Sequence, residues 1–160
     1  MKRLIFIRHG QAGNDYNTQD FDRKLTDFGV KEIRETALKL KDKSFIPNKI
    51  ISSSAIRTKM TTENICDVLS LNINDVKFDR YIYEFFSSAE FIDGVLQDID
   101  NNYETVLIVG HNPSISTTVQ MLSGNYDIFF DTANAAIIEF ETDDWKKIIA
   151  RSGKLVDFIS

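Results

Sequence analysis

The chain is 160 residues long, 42% hydrophobic and 27% charged, with a formal net charge of −5. Twelve Phe and five Tyr supply apolar surface for a real core, which excludes a disordered chain and fits one domain over residues 1–160. One cysteine, Cys66, and two histidines, His9 and His111, exclude a disulfide scaffold and a Cys- or His-rich metal centre, and the acidic balance argues against general nucleic-acid binding.

The predicted elements alternate. Leu4-Ile5-Phe6-Ile7 is an apolar run that ends in Arg8-His9-Gly10 and reads as a buried strand. It is too short for a secretory leader or a membrane span, so a cytoplasmic protein without a membrane partner is expected. Residues 10–25 are polar and read as a loop. Val30, Ile33, Ala37 and Leu40 recur at helical spacing, with Thr26 or Asp27 as N-cap. Lys49 to Ser52 is a second short strand. A helix from Ala55 to about Leu69 follows, with Ile56, Met60, Ile65 and Leu69 expected on one side, and Cys66 reads as a small buried or half-buried hydrophobe.

A short strand is expected at Val76 to Phe78, with the aromatic cluster Tyr81, Tyr83, Phe85 and Phe86 read as core. Ser87 and Glu90 have capping-box spacing and lead into a helix carrying Ile92, Val95, Leu96 and Ile99. Thr105 to Val109 is the clearest strand. It leads through Gly110-His111 to a helix with Asn112 as N-cap, Pro113 at its first position and Gly124 as its end. Ala135 to Phe140 and Trp145 to Ala150 read as a hairpin around Thr142-Asp143. Strands alternating with helices predict an α/β fold with a mostly parallel sheet.

The chemistry collects where strand-like runs end. The first delivers Arg8-His9-Gly10, the second Ser53 to Arg57 at a helix start, the third Gly110-His111-Asn112. Ligands of open parallel sheets bind outside the carboxyl ends of the strands. If these strands are neighbours, Arg8, His9, Arg57 and His111 meet in one anion pocket beside helix N-termini. Such a pocket suits phosphoryl transfer. Guanidinium forks match phosphoryl oxygens and stabilise the charge that spreads over them. An unprotonated imidazole can attack phosphorus, and a second can hold or protonate an oxygen. This scheme needs no metal and no cofactor.

These residues resemble the signatures of the histidine phosphatase superfamily, the phosphoglycerate mutase-like branch. Arg8-His9-Gly10 resembles the first motif. Asp22-Arg23-Lys24-Leu25-Thr26 with Gly29, Ser53 to Arg57 with Thr61, and Gly110-His111-Asn112-Pro113 follow in the family's order. The compact length is most similar to the SixA-type phosphohistidine phosphatases. The resemblance implies a single-domain three-layer α/β/α sandwich and a phosphatase with a phosphohistidine intermediate. It implies His9 as nucleophile, with Arg8, Arg57 and His111 binding and polarising the phosphoryl group. Larger members carry an insertion with an acidic catalytic group and a lid. Here only Tyr83-Glu84 stands in that stretch, which makes Glu84 the candidate general acid. Asn14, with Asn17 near it, is the candidate for the family's phosphate-binding Asn, and Gln11 stands where many members have Glu. Asp22 and Arg23 are read as a pair that orders the loop.

An open site without a lid can admit a phosphorylated side chain of another protein. A labile phosphorus–nitrogen bond tolerates a weak acid better than an ester does. The expected partner is therefore a phosphoprotein, phosphohistidine above all. The alternatives are a small phosphorylated molecule hydrolysed by the same pocket and, in a different class, a non-catalytic phosphate-binding module.

Overall fold

Three continuous apolar runs become the middle of one sheet. The computed structural model describes residues 1–84 and 86–160. Its six strands are β1 (Lys2–Arg8), β2 (Lys49–Ser53), β3 (Lys77–Asp79), β4 (Thr105–Gly110), β5 (Ala135–Phe140) and β6 (Gly153–Ile159), laid side by side as β3-β2-β4-β1-β5-β6. The pairs β1–β4, β4–β2 and β2–β3 are parallel, and β5 runs antiparallel to both β1 and β6. The result is the expected mostly parallel α/β sheet.

The runs are unbroken by polar residues because both faces are covered. Leu4, Phe6, Val106, Ile108, Ala136 and Ile138 face one core. The alternate residues Ile5, Ile7, Leu107, Val109, Ala135 and Ile137 face the other. Helices α1 (Asp27–Asp42) and α2 (Ile56–Leu69) close the second side through Ile33, Ala37, Leu40 and Ile65. Helix α5 (Ser114–Ser123) closes the first side through Ile115, Val119 and Leu122, together with Ile82 of the short α3 (Arg80–Tyr83), α4 (Ser88–Glu90) and the helical turns that run on to Asp98. Each buried Leu, Ile, Val or Phe among them contributes on the order of 1.5–3 kcal/mol of transfer free energy, so the strand ends are held on a rigid base.

Local signals explain most boundaries. Thr26 caps α1, its hydroxyl accepting from the Gly29 N–H. Ser87 caps α4 (Ser88–Glu90) by accepting from the Glu90 N–H, as the spacing predicts. The turn beyond it is irregular, a π-helical stretch Phe91–Val95 followed by a 3-10 turn Leu96–Asp98. Gly124 ends α5 with φ 73°, a left-handed conformation that suits glycine.

Three expectations are corrected. The partner of β5 is β6, not Trp145 to Ala150. Trp145 is fully buried against the Tyr103 carbonyl, and its segment is a 3-10 turn that plugs the core. Helix α5 begins at Ser114, one residue later than expected, and Asn112 turns its amide to the Phe130 carbonyl and the Ser116 hydroxyl. Helix α2 buries Ile65, Cys66 and Leu69, but its first half buries Arg57, Thr58, Thr61 and Thr62 while Ile56 and Met60 are half-exposed. Of the aromatic cluster, Phe86 stacks in the core on Phe91 and Tyr81, whereas Phe85 lies outside the described residues. Among the described residues no helix is long and apolar enough to cross a membrane.

Candidate active site

The register of the sheet brings the two histidines together. Arg8 pairs with Gly110 across β1 and β4, so His9 and His111 each stand one residue beyond matched positions on neighbouring strands. Adjacent strands lie about 4.8 Å apart, and the two rings have centroids 5.2 Å apart. Arg57, in the first turn of α2, points its Nε–H at His9 Nε2 over 3.3 Å. Arg8, His9, Arg57 and His111 therefore line one pocket of about 390 Å³ at the carboxyl end of the sheet.

The buried threonines of α2 seat Arg57. Thr58 Oγ1 donates to the Ser53 carbonyl. Thr62 Oγ1 donates to Ser52 Oγ. Thr61 Oγ1 accepts from the Gly10 N–H and donates to the Arg57 carbonyl. Each buried hydroxyl named here has a partner, so the polar face costs little to bury, and it binds the end of β2 to the loop that carries His9. Gly29 completes that loop's support. A Cβ there would lie 2.1 Å from the Gln11 carbonyl oxygen, so only glycine lets α1 come this close to residues 10 and 11.

The hydrogen bonds set the tautomers. His9 Nδ1 is 2.7 Å from the Gly10 carbonyl oxygen. A carbonyl only accepts, so Nδ1 carries the proton and Nε2 keeps its lone pair. His111 is held differently. Its Nε2 is 2.8 Å from Ser53 Oγ, and its buried Nδ1 has no partner among the described residues. Ser53 Oγ already accepts from the Ala55 N–H, so its own hydrogen is available to Nε2. With the serine donating, the His111 proton sits on Nδ1; with the serine accepting, it sits on Nε2.

Both rings are kept neutral. Burial, assisted by the charges of Arg57, Arg8 and Arg23, lowers His9 to about 4 against the pull of the Gly10 carbonyl. Burial, then Arg57 and His9, lowers His111 to about 3. Arg8 is lowered by burial, opposed by Asp131 and Glu32. Its Nη1 donates to the Phe130 carbonyl, which also receives Asn112.

The rim holds residues of mixed standing. Glu84 lines the pocket, but its side chain is 64% exposed and sits 3.7 Å from Arg80 Nε. Asn14 and Asn17 are exposed, and neither is among the residues lining the pocket. Gln11 is also exposed and accepts from the Thr26 hydroxyl. Arg23 pairs with Asp20 rather than Asp22. It lines the pocket and donates to the Gly13 carbonyl.

Asp20 and Tyr83 are additions to the residues expected at the strand ends, and Ser53, expected there only as the start of its segment, holds His111. Asp20 accepts from Arg57, Arg23 and the Tyr83 hydroxyl. Its partial burial raises its pKa, but those bonds and the Arg57 charge outweigh that effect and hold it near 2. Tyr83 stands edge-on to His111 and Phe21. The available signals were the i,i+3 spacing of Asp20 and Arg23, and the serine that opens the Ser53 to Arg57 segment.

Two neutral imidazoles at strand ends, with the guanidinium groups of Arg8, Arg23 and Arg57 around them, make a pocket whose charge favours an anion. Comparison with known proteins gives the class. The family model of the histidine phosphatase superfamily (branch 1) matches residues 4–80. An uncharacterized chloroplastic protein of Arabidopsis thaliana is 30% identical over 95% of this chain and 72% of its own length. The mitochondrial serine/threonine-protein phosphatase PGAM5 of Xenopus tropicalis is 37% identical over 48% of this chain and 26% of its own. The protein histidine phosphatase SixA, in a structure complexed with tungstate, matches with a TM-score of 0.84 at 22% identity, over 99% of this chain and 96% of that one. The chain belongs to the histidine phosphatase superfamily and has the phosphoglycerate mutase-like fold that the SixA structure shares.

Proposed function

We propose that the chain is a metal-independent phosphatase that passes the phosphoryl group through His9 and acts on phosphohistidine or another phosphoprotein. The observation that carries this reading is the His9 ring, with its proton committed to Gly10 and its Nε2 lone pair turned toward Arg57. In the first step the Nε2 lone pair forms the bond to phosphorus, and the bond to the leaving group breaks with its electron pair. Arg8, Arg57 and the Nδ1–H of His111 carry the charge on the phosphoryl oxygens. In the second step water adds to phosphorus and the pair returns to Nε2. The water's proton leaves with inorganic phosphate or solvent.

The positive charge that a metal would bring is already present as guanidinium groups. The substrate preference follows from the rim. A phosphohistidine whose other ring nitrogen is protonated departs as neutral imidazole, so the pocket need donate no proton. An alkoxide needs one, and Glu84, exposed and beside Arg80, is the carboxyl available for it. Side chains of Asp20 and Glu84 that are 54% and 64% exposed leave the mouth open to a side chain on a protein surface. The likeness to SixA and the partial match to PGAM5, both named as protein phosphatases, support the same reading.

The test is a panel of a phosphohistidine protein, a phosphoserine peptide and a sugar phosphate at equal concentration, with and without chelator. The expected result is fastest turnover of phosphohistidine, unchanged by chelator, with an acid-labile phosphoenzyme absent from His9→Ala. Preference for the sugar phosphate would overturn the substrate and leave the mechanism. Binding of phosphate with no hydrolysis of any substrate would instead favour the non-catalytic module.

A further inference from the structure

The polar N–H groups of Arg57 are divided between two directions. Nη1 donates to the Asp20 backbone carbonyl at 2.6 Å and Nη2 to Asp20 Oδ2 at 3.1 Å. These two bonds occupy the end of the guanidinium fork. The flank that bears Nε faces His9 Nε2 at 3.3 Å. A guanidinium is planar and rigid, so fixing its end fixes where its flank points.

Asp20 is itself held from two further sides. Its Oδ1 accepts from Arg23 Nη1 at 3.0 Å. Its Oδ2 accepts from the Tyr83 hydroxyl at 2.9 Å. Arg57 is buried while the Asp20 side chain is 54% exposed. An exposed carboxylate thus anchors a buried cation through its far end. A carboxylate in a phosphate pocket opposes the charge of the ligand, so its presence needs a compensating effect, and orientation of Arg57 supplies one.

We propose that Asp20 is a positioning residue for phosphoryl transfer, holding the end of Arg57 so that its flank meets the phosphoryl oxygens as the group moves onto His9. The inference rests on the reading of His9 as nucleophile. Once phosphorus is bonded to Nε2, that nitrogen no longer accepts from Arg57. The Nε–H and the second Nη2–H then face phosphoryl oxygens without the guanidinium having to turn. Stabilisation that needs no reorganisation at the moment of reaction appears in kcat rather than in binding.

The test is a double-mutant cycle read in single-turnover phosphoenzyme formation and in the affinity for inorganic phosphate. Asp20→Ala removes one anchor and leaves the backbone carbonyl, so a loss of about 10- to 100-fold in the phosphorylation rate is expected, with phosphate affinity within about threefold. Asp20→Asn keeps a side-chain oxygen for Nη2 and is expected to recover most of that loss. It also serves if the alanine variant folds poorly. In an Arg57→Lys background, where the side chain has no fork to orient, Asp20→Ala should cost less than about threefold. Additive losses would overturn the proposal, because Asp20 would then act other than through Arg57. So would an unchanged rate, or tighter phosphate binding with faster turnover, which would make the carboxylate a competitor of the substrate. A wild-type protein that forms no phosphoenzyme would remove the underlying reading as well. An active wild type with indifferent Asp20 variants would remove this inference alone.

Discussion

The ends of β1 and β4 are alike in sequence and unlike in detail. Each strand is an apolar run that stops at a histidine, and each ring is buried with its pKa lowered by that burial. They differ in what holds the ring. His9 is locked by a backbone carbonyl, which cannot change its role as acceptor. His111 is held by a serine hydroxyl, which can donate or accept. The first arrangement keeps a nitrogen lone pair permanently available. The second leaves Nδ1 buried without a partner among the described residues and allows the proton to shift between the ring nitrogens. In the proposed mechanism, nucleophile and oxygen-holder are told apart by the partner of the ring's other nitrogen.

The largest effect that would break this contrast is in His9→Ala. It is expected to lose on the order of 10⁴-fold or more in turnover and to form no acid-labile phosphoenzyme in quenched, labelled reactions. His111→Ala should lose about 10²–10³-fold yet still trap phosphate on His9. If instead only His111→Ala abolished the phosphoenzyme, the two roles would be exchanged.

Smaller changes sharpen the same contrast. Ser53→Ala removes the hydroxyl that orients His111 and should cost roughly tenfold, the worth of one hydrogen bond, with His9 still phosphorylated at a measurable rate by quench-flow. The pH dependence is the mildest test. With His9 near 4, kcat/KM should stay free of any imidazole limb between neutral pH and about 5, then fall with a midpoint near 4. A midpoint near 6.5 would mean that the ring is not held neutral. Stability should follow the same groups. Both rings bind protons less readily folded than unfolded, so the unfolded chain takes up more protons below about pH 6.5. Their contribution is fully present above that pH and is lost as pH falls through 4 toward 3. Thermal melts should show the decline, and His111→Ala should lessen it.

Much of the fold and the pocket was legible from short-range pattern. Leu4 to Ile7 and Thr105 to Val109 read as strands because both sheet faces are covered. Thr26, Ser87 and Gly124 marked helix ends through cap chemistry. The misreadings arose where the pattern was right but its partner was distant. Trp145 and Ile148 carry strand-like apolar residues, yet Trp145 is drawn into the core by the Tyr103 carbonyl, and the pairing strand starts only at Gly153. The start of α2 reads as an apolar stripe through Ile56 and Met60, but the buried face is the threonine side, because those hydroxyls find acceptors on β2 and on Arg57. Asp20 left little trace, since a carboxylate in a polar loop looks solvated until Arg57, 37 residues away, is seen to reach it.

Local order of apolar, cap and motif residues was enough to indicate an alternating α/β chain with Arg8, His9, Arg57 and His111 at strand ends. Those features depend on neighbours a few positions away, which a linear chain displays. Which ring nitrogen bears a proton, which way Arg57 faces and which strand closes the edge depend on groups brought together from remote parts of the chain. Ser53 meets His111 across 58 positions and Asp20 meets Tyr83 across 63. Such contacts exist only after the sheet has set its register, because a hydrogen bond needs its two atoms within about 3 Å and nothing in spacing along the chain specifies that distance.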